Sequence, residues 1–160
     1  MPANVDESVR PSETPDAYVR RIAEAKARVL AGRAEGRIVL SADTTVVIDG
    51  EMLGKPIDDQ DAKRMLRLLS GRCHDVITGV TVLVGAEMTT RVASTSVQFA
   101  QLSEHEVDWY VGTGEPRDKA GAYAIQGYAS RFVTRVNGSY SNVVGLPIAL
   151  VYEMLKATTL

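Results

Sequence analysis

Cysteine and histidine are scarce in this chain: its 160 residues include one cysteine, Cys73, and two histidines, His74 and His105. A lone cysteine excludes an internal disulfide and a cysteine-based zinc site, and two scattered histidines do not make a histidine cluster. Charge of one sign is lacking as well. Eighteen basic residues against twenty acidic ones leave a net charge of −2, so no global attraction to nucleic acid or to an anionic membrane is expected, and any anionic ligand must be held by a local cluster. No apolar run reaches the roughly 18 residues of a membrane span, since Gly145 and Pro147 interrupt the best candidate. The opening MPANVDESVRP has no apolar signal-peptide core. These absences fit a reducing cytoplasm.

What is present is ordinary for one globular domain: 45% apolar and 24% charged residues, no repeat, no low-complexity tract and no linker. Residues 1–160 are therefore expected to form a single domain. Thr14 and Pro15 mark a helix start, with Tyr18, Ile22, Ala25 and Val29 proposed as its buried face, Lys26 at the border of that face and Gly32 past its end. A strand follows through IVLSADTTVVI, and Asp49-Gly50 is a two-residue hairpin signal that turns the chain back through Glu51, Met52 and Leu53. A second helix starts near Asp58 with Ala62, Met65, Leu66 and Leu69 at helical spacing, ending at Gly71. Strands are expected through Val76–Val84, over 92–99, over 122–125 and over 132–136, a capping box at Ser103 opens a short helix, and Pro147 begins a terminal amphipathic helix. The expected class is α/β: a mixed, twisted central sheet with flanking helices.

Asp43 stands out because it places a carboxylate among residues suited to a sheet interior. Ionised and removed from water it costs several kcal/mol unless paired. It is thus either a satisfied structural Asp or a catalytic base or metal ligand. The phosphate loop, the dinucleotide-binding glycine motif, the nucleophile elbow and the His-Glu-x-x-His zinc motif are all missing. What remains is a set of charged residues in apolar or glycine-rich settings: Glu7 in VDES, Lys26, Asp43 in SADTT, Lys55 in LGKP, and Asp118-Lys119 before AGAYAIQG. Acids with lysines suit a metal-bound polyphosphate, because carboxylates hold Mg²⁺ while ammonium groups offset phosphate charge. Each also has a plainer reading: Lys55 as a solvated loop residue, Lys26 snorkelling from a helix edge, Glu7 solvated near a chain end, and Gln126 bonding only backbone in its turn. His74 and Cys73 fit strand packing, and GSYSNVVGLP reads as a turn and helix start, with anion binding by its N–H groups as the alternative.

Taken in order, VDES, EAKA, SADTTVVIDGEMLGKP, LSGRCHDVITGV, GEPRDKAGAYAIQG and GSYSNVVGLP resemble the Maf family of nucleoside triphosphate pyrophosphatases over nearly the whole chain. The resemblance implies two lobes around a cleft, a homodimer, and cleavage of a nucleoside triphosphate to monophosphate and pyrophosphate with a divalent cation, Mg²⁺ or Mn²⁺. It implies Asp43 as proton acceptor, with Asp43 and Glu7 associated with the metal, Lys26 and Lys55 as catalytic lysines on the phosphates, and Thr44 and Gln126 as base-selecting positions. Asp-Thr together with Ile-Gln-Gly resembles the branch acting on dTTP and UTP, where the 7-methyl-GTP branch carries other residues.

Family members also begin with a strand and a Ser-x-Ser-Pro-Arg-Arg-type segment, whereas this sequence starts almost directly at VDES. Without those arginines the expected site has fewer phosphate ligands, and without that strand the sheet is expected to expose unpaired backbone. Two further readings therefore stand beside the enzyme: a catalytically impaired nucleotide-binding or interaction protein linked to cell-division control, and the same enzyme with 7-methyl-GTP-type preference.

Overall fold

The computed structural model describes residues 2–158. Helix α1 (Pro15–Ala31) starts where Thr14 Oγ1 accepts from Ala17 N–H at 3.2 Å and Pro15 supplies a preset φ. Strand β1 (Val39–Ile48) and strand β2 (Glu51–Leu53) form a hairpin whose Asp49 and Gly50 both take positive φ, 51° and 76°. That is the turn which Asp-Gly favours. Helix α2 (Asp59–Leu69) follows under an Asp58 cap, then the long strands β3 (Cys73–Val84) and β4 (Glu87–Phe99), helix α3 (Glu104–Gly112) opened by the Ser103–Glu106 capping box, strand β5 (Val133–Asn137), and helices α4 (Tyr140–Val144) and α5 (Ile148–Thr158).

The sheet runs β2-β1-β3-β4-β5. The α/β class with flanking helices holds, and each neighbouring pair of strands among the described residues is antiparallel, where the sequence suggested a mixed sheet. The tight reversals between β1 and β2 and between β3 and β4 account for two of the four pairs, because hairpins join antiparallel strands, and the longer connections through α2 and α3 bring β3 and β5 back antiparallel to β1 and β4.

Helix α1 covers one face, packing Tyr18, Val19 and Ile22 on Ile77, and Ala27 on Val39 and Leu83. Its buried stripe is Tyr18, Val19, Ile22, Ala23 and Ala27, whereas Val29 of the expected stripe is 37% exposed. The small Ala23 and Ala27 let the helix settle closely on the sheet, and Ser41 Oγ donates to the Ala23 carbonyl at 2.6 Å. The opposite face carries the larger core. Met65, Leu66 and Leu69 of α2 pack with Val46, Val76, Val97 and Phe99, while Val151 and Met154 of α5 cover Val80 and Val82. A fully buried Leu66 contributes roughly 2 kcal/mol.

Residues 122–125, expected as a strand, are not one. Gly121 and Ala122 take positive φ, 70° and 62°, which swings the chain over the core, so Tyr123 and Ile125 are buried without a ladder partner. Strand β4 begins earlier than expected because the Gly85 turn sets Glu87 opposite Val84.

Candidate active site

Strand β2 is only three residues long and pairs with β1 at Val46, Val47 and Ile48 alone. Among the described residues, 39–45 of β1 therefore have β3 on one side and no strand on the other. Asp43 and Thr44 point to opposite sheet faces, as neighbours on a strand must, yet both border this open edge. A cleft of about 610 Å³ lies there, lined by Glu7, Lys26, Asp43, Thr44, Lys55 and Gln126 among others. The structure thus brings together all six residues to which the resemblance gives a role.

Helix α1 supplies the cation. Lys26 Nζ lies 2.7 Å from Asp43 Oδ1 and 2.8 Å from Glu7 Oε1, so one ammonium joins two carboxylates from different parts of the chain. Tyr18, two turns earlier on the same helix, donates its hydroxyl to the Glu7 carbonyl at 3.0 Å and ties the N-terminal segment to the site. Burial pushes Tyr18 up to about 12, and the Asp43 and Glu7 carboxylates add to the shift. In the sequence Tyr18 shows only as a position on the buried face of the helix. Its spacing of eight residues from Lys26 was the available signal, since positions two turns apart share a helix face.

Asp43 has the more demanding position of the two ion partners. Burial raises its carboxyl above the usual range, against the pull of Lys26 in direct contact and of Lys55 across the cleft. Lys26 is held above its ordinary value despite burial, because both carboxylates favour its charged form. No hydrogen bond among the described residues reaches the second Asp43 oxygen, which leaves an acceptor available at the cleft.

Thr44 Oγ1 lies 2.8 Å from Thr78 Oγ1 and 3.4 Å from the Gly145 carbonyl, so its hydroxyl is fixed between β3 and the loop before α5. Gln126 is exposed, and its amide makes no hydrogen bond to a described residue, so the backbone-bonding role considered for it is not what the structure has. Asp118 and Lys119 also line the cleft, 3.5 Å apart. They were visible as a charged pair without an assigned role, because nothing local says which way a 3₁₀ turn faces. The tract GSYSNVVGLP is a turn and helix start: Ser139 caps Asn142 N–H at 3.2 Å, and Ser141 Oγ accepts from Ile148 N–H at 3.0 Å.

Among the described residues, no cluster of three or more His, Cys, Asp or Glu forms a metal cage. Two carboxylates converging on one positive atom suit a hard dication that takes its remaining ligands from phosphate oxygens and water. His74 stays in the core beneath the cleft, its Nε2 2.7 Å from the Tyr123 hydroxyl, and Cys73 is exposed and free. No helix among the described residues is long and apolar enough to cross a membrane.

Comparison with known proteins gives the family. The family model described as "Maf-like protein" matches residues 1–158. The dTTP/UTP pyrophosphatase of Anaeromyxobacter dehalogenans (strain 2CP-C) is 55% identical over 160 residues, covering 97% of this chain and 80% of the relative. Those of Hahella chejuensis and Myxococcus xanthus are 50% and 51% identical, each covering 96% of this chain and 78% of the relative.

Proposed function

The chain belongs to the Maf-like protein family, and from that membership we propose that it is a nucleoside triphosphate pyrophosphatase which hydrolyses dTTP and UTP to the monophosphate and pyrophosphate. The substrate follows from the relatives named dTTP/UTP pyrophosphatase and from Thr44 and Gln126 lining one cleft. The observation that carries the chemistry is the position of Asp43. It is a half-buried carboxylate with one oxygen on Lys26 and the other without a hydrogen bond to a described residue, at the border of a cleft large enough for a nucleotide.

In this reading Asp43 is the general base. Its environment raises its proton affinity without removing its charge partner, which is the tuning a base needs to take a proton from water near neutral pH. The water attacks the α-phosphorus as that proton passes to Asp43, and pyrophosphate leaves. Lys26 and Lys55 bring two positive charges to the cleft, where they offset charge gathering on the phosphate oxygens. Lys26 is held in place by two carboxylates, so its charge is oriented before substrate arrives.

Glu7 and Asp43 are the residues that would hold a divalent cation, Mg²⁺ or Mn²⁺, together with the substrate phosphates. When bound, such an ion supplies charge neutralisation and orientation of the triphosphate. The same reading takes residues 1–160 as one catalytic domain, the working unit as a homodimer and the compartment as the cytoplasm.

The deciding experiment is pyrophosphate release from a panel including dTTP, UTP, CTP and 7-methyl-GTP, with and without Mg²⁺ or Mn²⁺. Turnover of dTTP and UTP that depends on the cation is expected. Preference for 7-methyl-GTP, or nucleotide binding with no pyrophosphate released, would overturn the assignment.

A further inference from the structure

The turn that carries Gln126 is held from outside the cleft. Tyr110, fully buried on α3, donates its hydroxyl to Glu115 Oε2 at 2.5 Å, and the same hydroxyl accepts from Ala124 N–H at 3.2 Å. Glu115 in turn accepts from Tyr128 N–H at 3.0 Å on Oε1 and from Ala129 N–H at 3.4 Å on Oε2. One side of the turn is therefore fixed by the tyrosine and the other by the carboxylate, and the two are bonded to each other. Hydrogen bonds to an ionised acceptor are roughly twice as strong as neutral ones.

The fit leaves no room between them. A Cβ on Gly127, the residue directly after Gln126, would lie 1.8 Å from Glu115 Oε1. The backbone of the turn sits directly on the carboxylate, so Gln126 has little freedom to shift along the cleft wall. Its own amide makes no hydrogen bond to a described residue and remains available to a ligand. Tyr110 and Glu115 do not line the cleft.

We propose that Tyr110 and Glu115 are positioning residues for nucleobase discrimination: they fix the turn so that the Gln126 amide meets the base at one distance. This rests on the reading of Gln126 as the base-selecting side chain. A uracil or thymine edge presents carbonyl acceptors and one N–H donor, while cytosine presents an amino group in place of one carbonyl. A primary amide separates the two only if its donor and acceptor are held in place, because a turn free to move by about an ångström can re-pair with either.

The test compares kcat/KM for UTP and CTP in the parent, Gln126→Ala, Tyr110→Phe and Glu115→Gln. Tyr110→Phe removes one oxygen and keeps the buried ring, and Glu115→Gln keeps the shape and loses the charge. Both are expected to lower the UTP-to-CTP ratio about tenfold, the scale of losing one aligned hydrogen bond. They should do so through a raised KM for UTP, with kcat nearly unchanged and with melting temperatures that do not track the ratio. If Gln126→Ala lowers the ratio and neither positioning variant does, the proposal is overturned and the base-selecting role of Gln126 stands. If Gln126→Ala leaves the ratio unchanged, that role itself falls and the proposal with it. A ratio that falls in step with kcat and melting temperature would show a general structural defect and would also overturn the positioning role.

Discussion

Asp43 and Gly79 face each other across the β1–β3 ladder, and the helix that carries Lys26 lies directly over that pair. A Cβ on Gly79 would come within 2.5 Å of the Val19 carbonyl oxygen and 2.6 Å of its carbonyl carbon, both backbone atoms of α1. The missing side chain is what lets α1 approach closely enough for Lys26 to reach Asp43.

Gly79→Ala is therefore expected to lift α1 from the sheet. Overpacking of this kind typically costs about 1–3 kcal/mol, readable by urea unfolding. Because Val19 and Lys26 share one rigid helix, pyrophosphate release should fall as well. Parent-like stability together with parent-like turnover would show that the helix has slack which the geometry does not suggest.

Asp43→Asn separates chemistry from folding. Loss of a positioned general base is expected to reduce turnover of dTTP or UTP by a factor of about 10² to 10⁴. Stability should move the other way or not at all. Burial raises the Asp43 carboxyl above its unfolded value, so at neutral pH its ionised form is less favourable in the fold than in the unfolded chain. That unfavourable contribution is present above the folded pKa and fades as pH falls through it. Asparagine removes it, and Lys26 keeps Glu7 as partner. A differential scanning experiment at pH 7 should show an unchanged or higher melting temperature, and a drop of several degrees would contradict this account of the pair.

Lys26→Met tests the electrostatic half of the same pair. Contact with Lys26 lowers the pKa of Asp43, partly offsetting the larger effect of burial. Without the ammonium, Asp43 stays protonated to higher pH and is lost as a base over a wider acidic range. The acidic limb of the kcat/KM profile should move to higher pH, with a lower plateau because one phosphate-facing charge is gone. A lower plateau with an unmoved limb would mean that Lys26 acts on phosphate alone.

Local chemistry carried much of this architecture. Thr14-Pro15, Asp49-Gly50 and the Ser103–Glu106 box each start or reverse an element by a short-range mechanism, and each does so in the fold. Residues 122–125 depart from the expected strand because apolar content announces burial without stating the backbone path, and the positive φ of Ala122 leaves no local mark in its identity. Val29 was misplaced for a related reason: helical spacing gives a stripe, but the small residues Ala23 and Ala27 decide which stripe meets the sheet. The six residues brought together at the cleft owe their convergence to the shortness of β2 and the reach of α1, which are tertiary facts. The Tyr110–Glu115 support of Gln126 is also tertiary: Glu115 and Gln126 share the GEPRDKAGAYAIQG stretch, but their spacing of eleven residues does not say that the carboxylate turns back onto the backbone after Gln126.

His74 supplies a pH test away from the chemistry. Its ring is buried on β3, edge-on to Phe99 and Tyr123, with Nε2 on the Tyr123 hydroxyl and Nδ1 without a hydrogen-bond partner among the described residues. Burial lowers it from 6.5 to about 4, with Asp75 opposing weakly. A protonated ring would carry a second N–H with no acceptor among the described residues. The neutral form is favoured in the fold, so its contribution to stability is complete above the unfolded value near 6.5. It is lost as pH falls from there toward 4, where the unfolded chain binds a proton that the folded chain resists. At about 1.4 kcal/mol per unit, the loss between pH 7 and pH 4 is on the order of 3 kcal/mol. Urea unfolding of the parent and of His74→Gln at several pH values isolates this term, because the carboxylates titrate in both. The stability gap between them should narrow or reverse on acidification, and two curves that fall in parallel would show that His74 is already protonated, or already wet, in the native state.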